Sequence, residues 1–212
     1  MKIDLHSHSH ASPDGLITKA NIESKLSTGK LDVIAITDHD RIDFALYMNK
    51  IHGEKIIVGE EITSSEGEII GLYLSTTIEP GQTAQQTAQA IKDQGGLVYI
   101  PHPFEKVRKG VSLNTLNSIA ELVDIVEVNN GRSFSRSAAR NAVAWSLQNK
   151  VAMASSSDAH GPRNWGRVYS VIAEMPSAAT LPELLKNGTL KNGINGIISY
   201  GYPKYARFKK RI

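Results

Sequence analysis

Strand and helix signals alternate along this 212-residue sequence, which predicts an α/β domain built on parallel strands. Three observations carry the prediction. Short apolar runs rich in β-branched residues take turns with segments of helical pattern. Runs such as Val33-Ile34-Ala35-Ile36 and Val98-Tyr99-Ile100 lack polar alternation, as strands covered on both faces should. Potential metal ligands then follow strand after strand, always at the same end.

Taken in order, the predicted strands cover 2–5, 31–37, 56–62, 69–74, 97–100, 125–128, 151–154 and 168–172. Predicted helices lie between them at 19–27, 44–50, 84–94, 113–122, 135–149 and 181–186. Gly29, Gly53, Gly95-Gly96 and Gly188 supply turn chemistry where helices should stop. The third and fourth strands are too close for a crossover, so they read as a hairpin. No repeat or domain boundary stands out, and one domain over 1–212 is expected.

Composition narrows the function. Hydrophobic residues at 41% and charged residues at 21% describe a globular chain. A net charge of +3 argues against a dedicated nucleic-acid binder. The basic tail at about 203–212, with Lys204, Arg207, Lys209, Lys210 and Arg211, reads as a solvated end. Without cysteine there is no disulfide, thiolate zinc site or thiol nucleophile. The opening Met1-Lys2-Ile3-Asp4-Leu5 holds no apolar signal region and no apolar run approaches membrane-spanning length, so a cytoplasmic protein is expected.

The first strand runs into His6-Ser7-His8 and the second into Asp38-His39-Asp40. The third leads to Glu60-Glu61, the fifth to His102, the sixth to Asn129-Asn130 and the seventh to Asp158-Ala159-His160. In a closed or nearly closed parallel barrel all strand C-termini open on one face, where these residues would converge. Residues two apart in a strand point the same way, so His-x-His grips one ion. Six of the seven histidines fall at such ends, and only His52 looks incidental. Each cluster has a plain alternative: a His-rich turn, an Asp helix cap, a rigid Pro-His-Pro loop, a surface ion pair. Together these alternatives demand independent coincidences, and a metal site is the better expectation.

Asp4-Leu5-His6-Ser7-His8, Ser12-Pro13-Asp14-Gly15, Ile36-Thr37-Asp38-His39-Asp40, Gly59-Glu60-Glu61-Ile62-Thr63, His102-Pro103 and Ser157-Asp158-Ala159-His160 resemble, in order, the motifs of the PHP (polymerase and histidinol phosphatase) superfamily. The resemblance implies a distorted seven-stranded (β/α)7 TIM-like barrel with two or three divalent ions, of manganese, zinc or iron. It implies that His6, His8, Glu61 and Asp158 hold one ion, and that Glu61 bridges to a second held by His102. Asp14, His39 and His160 would hold a third. Many relatives carry a histidine in the second hairpin strand, where this chain has Glu68 in Gly67-Glu68-Ile69-Ile70-Gly71. A carboxylate is a harder donor that also ligates Mn²⁺ or Zn²⁺; the alternative is a solvent-facing Glu beside a turn.

Clustered divalent ions lower the pKa of a bridging water, neutralise phosphate oxygens and stabilise a leaving alkoxide. Phosphate-ester hydrolysis is therefore expected, with Asp158 or His160 relaying a proton. Arg132, Arg163 and Arg167 fall on the same predicted face as candidate phosphate ligands. The substrates expected are a small phosphorylated metabolite, a nucleotide or a short oligonucleotide, in a monomer or an oligomer. Two rival readings stand beside this one. One is an amidohydrolase-type C–N hydrolase, which normally uses a strand-end lysine. The other is a non-catalytic or nucleic-acid-associated PHP metal-binding module. Between Leu74 and His102 there is no room for a long helical cover, so the site is expected to be open and poorly selective.

Overall fold

The computed structural model describes residues 1–133, 135–193 and 197–210. Arg211 and Ile212 of the basic tail lie outside the described residues. The chain runs β1 (Lys2–Asp4), α1 (Lys19–Ser27), β2 (Val33–His39), α2 (Asp43–His52), β3 (Ile56–Ser64), β4 (Gly67–Leu72), α3 (Ala84–Asp93) and β5 (Leu97–Ile100). It continues through α4 (Leu113–Ser118), β6 (Val123–Asn130), α5 (Arg136–Asn149), β7 (Ala152–Ser156), β8 (Tyr169–Val171), α6 (Leu181–Lys186), β9 (Thr189–Lys191) and α7 (Ile197–Lys209).

Local chemistry explains where helices start. Thr18 with Asn21, and Thr83 with Gln86, form reciprocal capping boxes at α1 and α3. Ser112 and Ser135 cap α4 and α5.

Among the described residues nine strands form one sheet in the order β7-β6-β5-β4-β3-β2-β1-β8-β9. β1, β2 and β3 are parallel to one another, as are β5, β6 and β7. β4 runs against both its neighbours, because a two-residue turn after Ser64 leaves no chain for a crossover. The sheet nearly closes: Ser7 bridges Ala159 in parallel, and the Ser157 amide donates to Asp4 Oδ1 at 2.9 Å. A simple (β/α)7 count therefore gives way to a nine-stranded sheet with a reversed β4 and an added antiparallel β8–β9 pair joined through α6. Neither β9 nor α7 stands out in the sequence.

Two apolar layers follow from alternation along the strands. Ile3, Leu5, Val33, Ala35, Ile57, Tyr99 and Ile125 fill the barrel interior, joined by Leu181 and Leu185 of α6. Ile34, Ile36, Val58, Val98 and Val126 face outward against Ile22, Met48, Ile91 and Trp145. No helix among the described residues is long and apolar enough to cross a membrane.

Candidate metal centre

The interior-facing rows of the strands change character at their C-terminal ends. In β2 the row Val33, Ala35 continues two residues at a time to His39, and in β3 the row from Ile57 continues through Gly59 to Glu61. Strand pairing sets His39 beside Glu61 and Thr63 beside Glu68. Both strands extend two residues beyond their predicted ends, so His39 joins the ladder, as Glu61 was already expected to. Asp38 and Glu60, one residue out of phase, point to the other face. Asp38 accepts from the Ser9 amide and hydroxyl, and Glu60 from the Ile78 amide at 2.9 Å.

At the mouth the candidate ligands meet. Glu61 sits at the centre: its Oε1 lies 3.1 Å from His102 Nε2 and 3.4 Å from His6 Nε2, and its Oε2 lies 3.2 Å from His8 Nε2 and 3.3 Å from His39 Nδ1. Asp158 Oδ1 approaches His6 and His8 Nε2 at 3.6 and 3.5 Å, and His160 Nδ1 at 3.3 Å. Asp14 Oδ2 stands 3.5 Å from His160 Nε2 and 3.7 Å from His39 Nε2. Asp14 arrives on a loop held tightly to the His8 strand, since a Cβ on Gly15 would fall 2.1 Å from the Ser9 carbonyl oxygen. Glu68 is buried, with Oε2 3.7 Å from His102 Nε2. The surface alternative for Glu68 is thereby corrected: the β3–β4 pairing turns it inward.

These donors suit divalent ions. Three groups, His8–Asp14–His39–His160, His6–His8–Asp158 and His6–Glu61–His102, each bring their ligand atoms within 4.8 Å of one another. Two ligands bonded to one ion at about 2.1 Å stand roughly 3.0–3.4 Å apart in octahedral or tetrahedral geometry. The contacts of Glu61 with His6, His8 and His102, at 3.1 to 3.4 Å, match that spacing. Among the described residues the buried Nδ1 atoms of His8 and His102 have no hydrogen-bond partner, so no bond fixes the tautomer of either ring and Nε2 is open to act as the ligand atom. Imidazole plus carboxylate is the donor set of zinc, manganese or iron.

A second layer, passed over in the sequence, orients the first. Glu127 lies on the inward row of β6 after Ile125. Its carboxylate meets the His6 ring at Nδ1 (3.2 Å) and accepts from the Tyr99 hydroxyl (3.0 Å), the His102 amide (2.7 Å) and the Asn130 side chain (2.8 Å). A register shift between Glu127 and Asn129 lets Glu127 and Asn130, three apart, face one side. Burial opposes ionisation of Glu127, but His6 and these donors prevail and hold it down to about 2. Burial likewise disfavours charge on His6, yet the Glu61 and Glu127 carboxylates raise it to about 9. Asp4 accepts from Ser157 and, at 2.8 Å, from the Trp165 indole; burial pushes it up to about 6. The available signal was a charged residue in phase with an apolar row, as in Val123-Asp124-Ile125-Val126-Glu127.

Of the three predicted arginines, only Arg132 reaches the site, with Nη1 3.3 Å from Asp158 Oδ1 and 3.2 Å from His160 Nδ1. Arg163 and Arg167 are exposed and do not line the cavity. The reason is Trp165, buried between them: it bonds Asp4 and packs in the outer layer near α1, drawing the segment off the mouth. Arg108, not anticipated, takes the second place, bound to Asp158 and, at 2.8 Å, to Asn130.

The site opens into a cavity of about 530 Å³ whose walls include Val107, Arg108, Lys109 and, from α7, Tyr200, Pro203, Lys204 and Arg207. Two expectations are corrected here. The basic tail belongs to a helix that walls the mouth, although its Lys204, Arg207, Lys209 and Lys210 stay exposed as expected, and the cover absent between Leu74 and His102 comes from this helix.

No family model matches the chain. Two uncharacterized proteins of Methanocaldococcus jannaschii do. MJ0417 is 34% identical over 180 residues, covering 82% of this chain and 72% of its own length. MJ1587 is 36% identical over 124 residues, covering 52% of this chain and 72% of its own. Among solved structures, a two-domain Bacteroides vulgatus protein containing a predicted PHP-like metal-dependent phosphoesterase has a TM-score of 0.70 at 20% identity, over 91% of this chain and 64% of that one. PsfC of Pseudomonas syringae gives 0.64 at 15%, over 99% and 97%. The lesion-specific endonuclease EndoQ of Pyrococcus furiosus gives 0.60 at 17%, over 89% and 57%. The chain thus spans less than two thirds of the Bacteroides and Pyrococcus proteins. Its fold is that of the PHP-like metal-dependent phosphoesterases, as the ordered motifs indicate. By sequence the chain belongs to one family with MJ0417 of M. jannaschii.

Proposed function

We propose that the chain is a metal-dependent phosphoesterase acting on a small phosphate ester, a nucleotide or a short oligonucleotide. The observation that carries this is Glu61, whose two oxygens face four imidazoles, with Asp14 and Asp158 flanking the same cluster. His6, His8, Glu61 and Asp158 would hold one ion, Glu61, Glu68 and His102 a second, and Asp14, His39 and His160 a third. When bound, such ions activate water at neutral pH and neutralise phosphate charge.

The remaining work falls to the chain's own groups. Arg108 and Arg132 stand at Asp158 with guanidinium planes suited to phosphate oxygens. Glu127 fixes the His6 ring, leaving Nε2 toward the cluster. Burial, followed by the neighbouring His8 and Arg132, holds His160 well below the usual imidazole range, so its ring is neutral near pH 7. Asp158 and His160 would pass a proton to or from the reacting oxygens. The likeness to a nucleic-acid endonuclease supports including oligonucleotides among the substrates tested.

The test is hydrolysis of a chromogenic phosphate monoester and of a short RNA, with the matching amide as control, by protein loaded with Mn²⁺ or Zn²⁺. Phosphate release that disappears on chelation is expected. Amide cleavage with no phosphate release would replace this reading by C–N hydrolysis.

A further inference from the structure

Helix α7 and Lys210, the residue just past its end, contact the site through groups that the chemistry above does not use. Lys210 Nζ donates to three carbonyl oxygens of a single loop, those of His10 (2.8 Å), Ser12 and Gly15 (2.9 Å). An ammonium has three donors, and here all serve one short stretch of backbone. Three further contacts dock the same helix. Arg207 Nη2 lies 2.9 Å from Asp14 Oδ2. Ala206 is fully buried. The Tyr202 ring covers Gly161 so closely that a Cβ there would fall 2.6 Å from three ring carbons. Two strand-end loops, carrying Asp14 and His160, are therefore held from above by one helix.

This hold adds to the bond from the Ser12 hydroxyl to Asp14 Oδ1 (3.0 Å) and that from Arg41 to the Ala11 carbonyl (3.0 Å). His39 is fixed in β2, and His8 and His160 lie in segments joined by the Ser7–Ala159 bridge, the His8 amide donating to the Ala159 carbonyl at 2.8 Å. Of that ligand group only His39 lies within a strand; His8 and His160 adjoin the Ser7–Ala159 bridge, whereas Asp14 sits in a turn between Ala11 and Gly15 that makes no bridge itself. Within the loop, backbone bonds are long ones, Ser12 to Ser9 at 3.2 Å and Gly15 to Ser12 at 3.3 Å.

We propose that Lys210 is a positioning residue: by pinning the loop from His10 to Gly15 under α7, it keeps Asp14 within reach of His8, His39 and His160 and so sets the affinity of that one ion. This rests on the metal-centre reading above. It also makes α7 part of the site rather than an appendage.

The experiment uses the full chain and Mn²⁺ alone, comparing wild type with Lys210→Met and Lys210→Arg. Calorimetric titration and metal content after dialysis give the number and affinity of bound ions, and amide exchange reports on residues 9–16. Lys210→Met is expected to weaken one equivalent by at least about 10-fold, the scale of losing an outer-shell partner. The other equivalents should stay unchanged and the loop amides should exchange faster. Lys210→Arg, which keeps the donors, should restore most of the loss. If methionine promotes aggregation, Lys210→Gln takes its place. Equal ion number and affinity in Lys210→Met and wild type would overturn this inference alone, as would a uniform loss of every equivalent. A wild-type chain that binds no ion would overturn the phosphoesterase reading, and this one with it.

Discussion

The Glu127 carboxylate serves the His6 ring, the His102 amide, Tyr99 and Asn130 at once, from a position with no exposed surface. Its oxygens hold one ring and one backbone turn of the candidate centre. The turn at His102 has φ +30° and Asp158 has φ +49°, so two ligand positions sit in the left-handed region at a cost of about 1 kcal/mol each. Glu127→Gln keeps the shape but removes the charge that orients His6. We expect metal affinity to fall about 10–100-fold with the fold intact, measured by metal titration and circular dichroism. Undiminished affinity would remove Glu127 from the centre. Glu61→Gln should cost more than Glu68→Gln in both metal content and turnover, because Glu61 faces four imidazoles and Glu68 one.

The hairpin β3–β4 shows how one element separates two kinds of acid. Glu61 faces the centre, where burial is outweighed by His6 and His39 and its pKa lies well below the usual range. Glu60, its neighbour, faces away; among the described residues its Oε1 has no hydrogen-bond partner, and burial pushes it up to about 7. The folded state then holds the Glu60 proton more tightly than the unfolded chain does. Stability accordingly falls as pH rises from about 4.5 to 7, by roughly 2–3 kcal/mol at most. Glu60→Gln removes that titration. Above pH 8 the variant should melt higher than wild type, by roughly 4–8 °C for about 2 kcal/mol, and near pH 4.5 the two should coincide. Thermal scans in chelator across this range check it, and parallel curves would refute the assignment.

At the scale of the molecule, the barrel gathers candidate ligands from β2, β3, β4, the loop after β5 and the segments after β1 and β7, so no sub-part holds the whole cluster. Ions that bind the folded chain and not the unfolded one must stabilise the whole. At a free concentration 100 times the dissociation constant, one ion adds about 2.7 kcal/mol, or roughly 5–11 °C in melting temperature for a chain of this size. Chelation should lower the transition by that order, and Mn²⁺ or Zn²⁺ should restore it. A melting temperature indifferent to chelator would argue that the cluster holds no ion in solution.

Periodicity made the parallel strands and most of the helices legible, because alternation and apolar runs are local properties of the chain. The strand-end positions of His6, His8, His39, Glu61, His102, Asp158 and His160 were legible for the same reason. Other features depended on long-range pairing. The turning inward of Glu68 needed the β3–β4 register, and Glu127 was hidden inside an apolar strand pattern. Arg108 reached Asp158 from 50 residues away while Arg163 and Arg167 were carried off by Trp165. The placement of α7 was least predictable of all: Lys210 meets carbonyls some 200 positions earlier, and no local pattern encodes a contact at that separation. Ligand chemistry at strand ends was thus determined by the sequence itself. Which cations, acids and covering helix complete the site was decided by tertiary packing, since those contacts exist only once the sheet has curled and brought its edges together.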